Sequence, residues 1–186
     1  RDISGPDGKP DGAITGADMK FIGDPNPDFT YGLTNNVSWL GFDLTMFLQG
    51  SQGNDIYNLN RFYTEGGLYG NGNSSTRVLG RWTGEGTSTD VPRAVAGDPN
   101  DNQRVSTYYI EDGSYMRIKL LTLGYTLPAN ILPYIGGKSL RLYVSAQNLL
   151  TLTKYSGFDP EVGPSGVDRG IYPQSRTFLA GLNLGF

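Results

Sequence analysis

The sequence predicts an all-β protein, an antiparallel meander of five strands that forms part of the wall of a transmembrane β-barrel. Apolar and polar residues alternate with a period of two over five separate stretches, and helical periodicity is almost absent. The connections between these stretches are alternately short and long. Strands of about ten residues, joined by short turns at one end and long polar loops at the other, are typical of outer-membrane barrels.

The first two strands are predicted at about residues 29–38 and 42–50, on either side of a tight turn. In both strands every second residue is mostly large and apolar, and the residues between are mostly small or polar. The apolar positions are Phe29, Tyr31, Leu33, Val37, Phe42, Leu44, Met46 and Leu48. This alternation gives each strand one apolar and one polar face.

The third strand is predicted at about 115–126, after a long connection over 51–114. Its first half places three apolar residues opposite two basic ones, namely Met116, Ile118 and Leu120 against Arg117 and Lys119. The alternation then fails over residues 121–123, so we expect a β-bulge near Thr122.

The last two strands are predicted at about 139–153 and 176–186, separated by a long connection over 154–175. Apolar residues again occupy every second position: Leu140, Leu142, Val144 and Ala146 in one strand, and Phe178, Ala180, Leu182, Leu184 and Phe186 in the other. Residues 128–138 form a short connection, and residues 1–27 form another long, polar one. Short and long connections therefore alternate along the whole chain.

Alternation alone leaves a second fold open, a soluble or surface-anchored β-sandwich that binds carbohydrate. The aromatic residues near the strand ends favour the barrel, because such barrels carry aromatic girdles at the two membrane interfaces. These residues are Phe29, Trp39, Phe42, Tyr125, Phe178 and Phe186. A connection as long as 51–114 is also unusual in a compact soluble domain.

Composition excludes several kinds of function. The 186 residues include no cysteine and no histidine, which excludes a catalytic thiol, a histidine base, a disulfide framework and a Cys/His metal site. Lysine and arginine number 15 against 18 aspartates and glutamates, a formal net charge of −3. We therefore expect no nucleic-acid partner.

Several longer stretches carry a family resemblance. They are IGDPNPDFTYG at 22–32, EDGSYMRIK at 111–119, LRLYVSAQNL at 140–149, TKYSGFDPE at 153–161 and GLNLGF at 181–186. In this order and spacing, the chain resembles the C-terminal part of SusC/RagA-type TonB-dependent transporters of the Bacteroidota outer membrane. The resemblance covers nearly everything except the loop at 59–110.

The resemblance implies that the whole of residues 1–186 is the last five strands of a barrel of about 22 strands. The plug domain, the TonB-contacting segment and the signal peptide are then expected upstream of this chain. The implied protein is a transporter in the outer membrane of a Gram-negative bacterium and not an enzyme. Its implied partners are a SusD-type lipoprotein that covers the mouth as a lid, the TonB complex, outer-membrane lipid, and a glycan or peptide cargo.

Residues 7–18 resemble a calcium-binding loop. Asp7, Asp11 and Asp18 stand at positions 1, 5 and 12 of such a loop, and Gly12 stands at position 6. Lys9 occupies a position where a ligand oxygen is expected. Two Asp-Gly turns in an exposed loop explain the same residues, so Ca²⁺ here is one of two hypotheses.

The loop at 57–82 is rich in aromatic side chains. The candidates for binding cargo are Tyr57, Tyr63, Tyr69 and Trp82, with Phe62 beside them. Flat aromatic faces suit the CH patches of sugar rings. Packing within the loop or against a lid explains these residues equally well.

Two pairs of neighbouring acids, Glu111 with Asp112 and Asp159 with Glu161, have the residue type of a glycosidase site. We interpret them instead as solvated turn residues in loops. Basic side chains on the polar strand faces are expected to line a solute path or to pair with carboxylates of the plug or of neighbouring strands. These are Arg117, Lys119 and Arg141.

Phe186 is the last residue of the last predicted strand. A terminal aromatic residue on an alternating strand resembles the signal that the barrel-assembly machinery reads. We therefore expect Phe186 to act as an assembly signal.

Overall fold

The computed structural model describes residues 4–5, 7–65, 72–88 and 90–186. The strands and the α-helix, in chain order, are β1 (Phe29–Trp39), β2 (Phe42–Gln52), β3 (Asp55–Asn58), α1 (Leu59–Glu65), β4 (Ile110–Asp112), β5 (Tyr115–Thr126), β6 (Ser139–Thr153), β7 (Val167–Asp168) and β8 (Thr177–Gly185). Short 3₁₀ turns lie at Gly16–Asp18, Thr76–Gly80, Thr107–Tyr109 and Leu132–Ile135.

The long strands form one five-stranded sheet in the order β1-β2-β5-β6-β8, and every neighbouring pair is antiparallel. This confirms the predicted meander. The bounds of β5 and β6 agree with those predicted, β1 and β2 end one and two residues later, and β8 is one residue shorter at each end.

The sheet has one apolar and one polar face. Residues are assigned to a face by their register, since cross-strand partners in a ladder share a face. One row of partners reads Val37, Leu44, Leu123, Val144 and Ala180. The next row on the other face reads Asn36, Thr45, Thr122, Ser145 and Leu179. The apolar face is exposed in this chain, with Val144 56% exposed and Leu182 63% exposed.

The β-bulge lies three residues before the predicted position. The register of β5 shifts between Ile118 and Leu120 against both neighbouring strands, so the expected bulge near Thr122 is wrong. The shift moves Leu120 onto the polar face, where it pairs with Phe47, and not beside Ile118 as predicted. The opposing bulge in β6 contains Asn148 at a φ of 50°, a backbone conformation that asparagine tolerates better than most residues.

The turn between β1 and β2 consists of Leu40 and Gly41, with φ values of 47° and 87°. Two successive positive φ values match the twist of a two-residue hairpin. A Cβ on Gly41 would lie 2.9 Å from the carbonyl oxygen of Thr126, so this position needs glycine on steric grounds as well.

The long connections contain a second, small sheet that the sequence pattern does not predict. Its strand order is β4-β3-β7, with β3 antiparallel to β4 and parallel to β7. We call the segments 53–65, 105–114 and 154–175 together the loop layer. Its centre is fully buried: Ile56 and Tyr109 are both 0% exposed. Among the described residues, none of the helical segments has the length and apolar character needed to cross a membrane.

Candidate functional site

The polar face of the large sheet carries an ion pair that spans three strands. Arg141 on β6 donates from Nε to Asp43 Oδ1 at 2.8 Å and from Nη2 to Asp43 Oδ2 at 2.5 Å. Gly124 on β5 lies between them, and a Cβ there would clash with both groups. Arg141 also lies over the ring of Tyr143, 5.0 Å from its centroid. Arg141 thus pairs with a carboxylate of the sheet, as one of the predicted alternatives had it, but this carboxylate lies on β2, the next strand but one, and not on an adjacent strand.

A second and more deeply buried ion cluster joins β5 to loop 154–175. Arg117 donates from Nη2 to Asp159 Oδ1 at 2.8 Å, and from Nη1 to Glu161 Oε2 at 2.9 Å. Lys119 lies 2.7 Å from Glu161 Oε1, and the Tyr115 hydroxyl donates to the same carboxylate at 2.9 Å. Both the Arg117 and the Asp159 side chains are only 3% exposed. We call these five side chains the Arg117 cluster.

Glu111 on β4 connects three parts of the loop layer. Its Oε1 accepts hydrogen bonds from Asn58 Nδ2 at 2.9 Å and from Arg61 Nη1 at 3.2 Å. The backbone N–H and the hydroxyl of Ser156 each donate to the same carboxylate at 2.8 Å. Arg61 in turn pairs with Glu65, which also accepts from the Tyr108 hydroxyl at 2.7 Å. Residues about 50 positions apart in sequence are therefore joined through one carboxylate.

Asp168 is completely buried where β7 pairs with β3. Its Oδ2 accepts from the Tyr155 hydroxyl at 2.5 Å, and its Oδ1 accepts from the backbone N–H groups of Gly170 and Ile171 at 2.8 and 3.0 Å. Burial and this hydrogen bond raise the pKa of Tyr155. The buried Asp168 carboxylate thus accepts three hydrogen bonds, from the Tyr155 hydroxyl and from two backbone N–H groups.

Glu111 and Asp159, two carboxylates of the loop layer, have lowered pKa values. Burial acts to raise the pKa of Glu111, but the hydrogen bonds from Ser156 and from two further side chains outweigh it, and the pKa lies below its usual value. The pKa of Asp159 is also lowered, because hydrogen bonds from Arg117 and from backbone N–H groups outweigh the effect of burial. Both groups are therefore anionic hydrogen-bond acceptors at neutral pH.

These contacts correct the interpretation of the two acid pairs as solvated turn residues. Asp159 is 2% exposed, and Glu111 accepts four hydrogen bonds. The sequence pattern missed this, since the cationic and hydroxyl partners lie some 40 to 50 residues away along the chain. Asp112 differs, because it is exposed and accepts from the backbone N–H of Ser114 in a local turn.

Ring contacts connect two of the aromatic candidates for cargo binding, Tyr57 and Tyr63, through Tyr109 and Phe62. Tyr57 packs edge-on against Tyr109 with ring centroids 6.0 Å apart, so it contributes to the core of the loop layer. Tyr63 is 65% exposed and Trp82 is 37% exposed. Tyr69 lies outside the described residues. Tyr63 and Trp82 remain open to solvent, and their role in binding stays a prediction.

The predicted calcium loop has a local hydrogen-bonded structure. Asp18 accepts from the backbone N–H groups of Ser4 at 2.9 Å and Thr15 at 2.7 Å, and Asp11 accepts from that of Ala13 at 2.9 Å. No group of three or more acidic side chains suited to a metal ion occurs in the part of the chain that is described. Asp7 is exposed. The calcium hypothesis thus stays a prediction from sequence.

Comparisons with known proteins identify the family. No protein-family model matches the chain. "TonB-dependent receptor P3" of Formosa agariphila is 41% identical over 186 residues, which is 94% of this chain. "TonB-dependent receptor SusC" of Bacteroides thetaiotaomicron is 33% identical over 180 residues, also 94% of this chain. The chain is homologous to SusC-type TonB-dependent receptors.

Solved structures agree with this and confirm the predicted SusC/RagA resemblance. The RagAB peptide importer in its open-open state matches with a TM-score of 0.77 and 31% identity over 97% of this chain. Its closed-closed state matches with a TM-score of 0.76. The chain spans less than a fifth of the receptors it matches, 18% of P3 and 17% of SusC. The chain therefore corresponds to only a small part of the receptors that it matches.

Proposed function

We propose that the full-length protein is a SusC/RagA-type TonB-dependent transporter, and that this chain supplies the last five strands of its barrel. It lies in the outer membrane of a Bacteroidota bacterium and imports nutrients without acting as an enzyme. Homology over nearly the whole chain to receptors of this type supports the proposal.

The observation that carries the proposal is the difference between the two faces of the sheet. Every long strand places apolar side chains on one exposed face, including Trp39 at 70% and Phe178 at 70% exposure. A contiguous apolar surface of this extent marks a site of contact with lipid or protein. The opposite face carries the Asp43–Arg141 pair and the Arg117 cluster, as a hydrated lumen permits.

The soluble β-sandwich receives no support from this arrangement. A sandwich buries the apolar face of one sheet against another sheet. In the described part of the chain the small sheet β4-β3-β7 leaves the apolar face open, since Leu123, Val144 and Leu152 are 46%, 56% and 50% exposed. The occupant of that face in the proposed protein is outer-membrane lipid.

The proposed partners follow from the relatives. A SusD-type lipoprotein is proposed as a lid over the mouth, and the TonB complex as the source of energy through the part of the protein upstream of this chain. The RagAB relative is a peptide importer. For this protein an oligosaccharide is the proposed cargo and a peptide the second candidate, because exposed Tyr63 and Trp82 suit stacking on sugar rings.

The proposed topology places loops 1–27, 51–114 and 154–175 outside the cell, and the turns 39–41 and 128–138 in the periplasm. This segment contains no cysteine, so single engineered cysteines report accessibility without background from it. With a membrane-impermeant thiol reagent on intact cells, Ser74→Cys and Ser165→Cys in the full-length protein are expected to label. Ser139→Cys is expected to label only after the outer membrane is opened. The reverse pattern would contradict the topology.

Cargo is tested by uptake in cells that lack the chromosomal copy of the gene. Cells carrying the full-length protein are expected to take up labelled oligosaccharides, and uptake should stop when the proton gradient that drives TonB is collapsed. Tyr63→Ala and Trp82→Ala are expected to raise the concentration needed for half-maximal uptake. Uptake of peptides instead of oligosaccharides would reassign the cargo and leave the transporter proposal standing.

A further inference from the structure

The Arg117 cluster has no net charge, and its central guanidinium already donates hydrogen bonds to three partners. Two cations, Arg117 and Lys119, face two anions, Asp159 and Glu161. All three nitrogens of the guanidinium are engaged, since Nε also donates to Thr151 Oγ1 on β6 at 2.7 Å. A charge-balanced and buried cluster of this kind does not attract a charged solute. Its effect is to fix the relative positions of the groups that form it.

The cluster fixes both ends of loop 154–175. Asp159, near the start of the loop, also accepts from the backbone N–H of Gln174, near its end, at 3.0 Å. The neighbouring Ser175 is held in turn, because its carbonyl oxygen accepts from Asn148 Nδ2 on β6 at 3.1 Å. One carboxylate therefore links the two ends of the loop to each other and, through Arg117, to the sheet.

The same loop is attached at further points. Ser156, close to its start, is bound to Glu111, and β7 pairs in parallel with β3 through Tyr57 with Val167 and Asn58 with Asp168. The attachments are thus distributed along the loop and reach four strands, β3, β4, β5 and β6. A loop that opens about a hinge would need to break all of them together.

We propose that loop 154–175 is a stationary rim of the transporter mouth, and that Arg117 is the positioning residue that holds it on the polar face of the sheet. The location of the loop at a transporter mouth rests on the proposed function, whereas the attachment of the loop to the sheet does not. The proposal therefore means that loop 154–175 keeps its position on the sheet during uptake. Any segment that moves during uptake lies elsewhere in the protein.

The first test is hydrogen exchange on the full-length protein in detergent. Arg117→Met leaves buried Asp159 without its cationic partner, so exchange of the backbone amides of Glu161 and Gln174, which both donate to Asp159, is expected to accelerate by about 100-fold. Arg141→Met breaks an ion pair on the same face that does not contact the loop, and is the matched control. It is expected to leave exchange over 154–175 unchanged. Unchanged exchange in the Arg117→Met protein would overturn the role of Arg117.

A milder variant keeps the test valid if Arg117→Met does not assemble. Arg117→Lys preserves the charge but cannot hold Thr151, Asp159 and Glu161 at once, because it has one nitrogen in place of a planar fork. Its exchange over the loop is expected to lie between those of the parent protein and of Arg117→Met. Exchange equal to that of the parent protein would count against the proposal.

The second test asks whether the loop moves during uptake. Tyr57 and Val167 are partners in the parallel ladder, so a pair of cysteines there lies within reach of a disulfide. In the Tyr57→Cys/Val167→Cys protein, uptake is compared before and after reduction, which cancels the effect of the lost side chains. A stationary loop predicts equal uptake in both states. Uptake that is blocked when oxidised and restored on reduction would overturn the proposal.

The two tests separate this inference from the proposed function. If the protein imports nothing, the exchange experiment still reports whether Arg117 holds the loop. If import is measured but exchange does not respond to Arg117, the transporter proposal stands and the positioning role fails.

Discussion

The large sheet and the loop layer are built in opposite ways. On the sheet, Leu182 is 63% exposed on an apolar face, whereas in the loop layer Ile56 and Tyr109 are completely buried. An ordinary soluble domain buries its apolar residues against its main sheet and leaves its loops on the surface. The exposed apolar face suits the sheet to an apolar solvent. The loop layer, by contrast, buries a core of its own, as a domain in water does.

The two regions also differ in where their polar groups are satisfied. In the sheet, backbone ladders between neighbouring strands supply most of the hydrogen bonds, as any wall in lipid requires. In the loop layer, buried side chains supply many of them, through Glu111, Asp159 and Asp168. A substitution in one region is therefore expected to change the stability of that region and to have little effect on the other.

The largest expected effect is on the core of the loop layer. Ile56→Ala removes most of a fully buried side chain and is expected to destabilise the loop layer by about 2–5 kcal/mol. The measurement is the free energy of local opening, from hydrogen exchange over 53–65 and 105–114 in the full-length protein. Exchange within β5 and β6 is expected to change much less.

Phe158→Ala is the matched control for this prediction. Phe158 lies in the same layer but is 71% exposed, so its loss is expected to change local stability by no more than about 0.5 kcal/mol. If both variants behaved alike, the loop layer would not have a core of its own, and the contrast with the sheet would fail.

The next effect is on the apolar face of the sheet. Leu182→Arg places a charge where the proposal puts lipid, and a charge at the middle of a barrel wall costs about 2–4 kcal/mol. We expect the amount of full-length protein in the outer membrane to fall strongly. Asn183→Arg, one residue along β8 and on the polar face, is expected to leave that amount nearly unchanged.

Equal loss from both substitutions would mean that the two faces do not meet different solvents. Full recovery of Leu182→Arg as soluble protein would favour the β-sandwich instead. The two variants therefore test whether one face of the sheet meets lipid, and the test does not depend on the cargo or on the partner proteins.

The sequence was sufficient to predict the sheet but not the loop layer, and the reason is the range of the interactions. Alternation with a period of two is a local signal, and it located all five long strands to within two residues. The bulge was misplaced because its position depends on how β5 meets β2 and β6, and no single strand encodes that register.

The site was harder to predict for the same reason. Arg141 was expected to line a solute path or to pair with a carboxylate of the plug or of a neighbouring strand, and its partner Asp43 lies two strands away on the same predicted polar face. The partnership of Arg117 with Asp159 joins a strand to a loop some 40 residues away, and that of Glu111 with Ser156 joins two loops. In β3 and β7, strands of four and two residues are too short to show alternation at all.

A third effect, smaller and dependent on pH, concerns the carboxylates of the loop layer. The pKa values of Glu111 and Asp159 are lowered in the folded protein, so each stabilises the fold fully above its unfolded pKa of about 4. This stabilisation is lost as the pH falls through the lowered folded value. We expect the opening free energy of loop 154–175, corrected for intrinsic exchange, to be constant from pH 7 to 5 and to decrease below about pH 4.

Glu111→Gln is expected to reduce this acid sensitivity, because an amide does not titrate. The opening free energy of the β5–β6 ladder should show little of the same dependence. A loop layer that loosened as the pH rose from 5 to 7 would contradict the assignment of these groups as anionic acceptors.

A several-fold effect on assembly is expected from the last residue of the chain. Phe186 is 77% exposed beyond the end of β8. In sequence it continues the alternation that places Phe178 and Leu184 on the apolar face. Deleting Phe186 from the full-length protein is expected to lower its outer-membrane level several-fold, if the terminal aromatic residue is read during assembly. Glu161→Gln keeps the side-chain shape and leaves β8 and its terminal residue intact, so it is expected to leave the level unchanged. Normal assembly without Phe186 would limit its role to an interfacial anchor.

The smallest expected effect is that of calcium on loop 7–18. A ligand that binds only the folded protein stabilises it according to its concentration relative to Kd, about 1.4 kcal/mol at ten times Kd. Because Asp18 already accepts two backbone N–H groups and Asp11 accepts one, binding would have to reorganise this loop. We therefore expect weak binding at most, seen by calorimetry on the full-length protein as heat at millimolar calcium that Asp11→Asn abolishes and Asp101→Asn does not. Absence of heat in the parent protein would establish residues 7–18 as two Asp-Gly turns, and the comparison between sheet and loop layer would be unaffected.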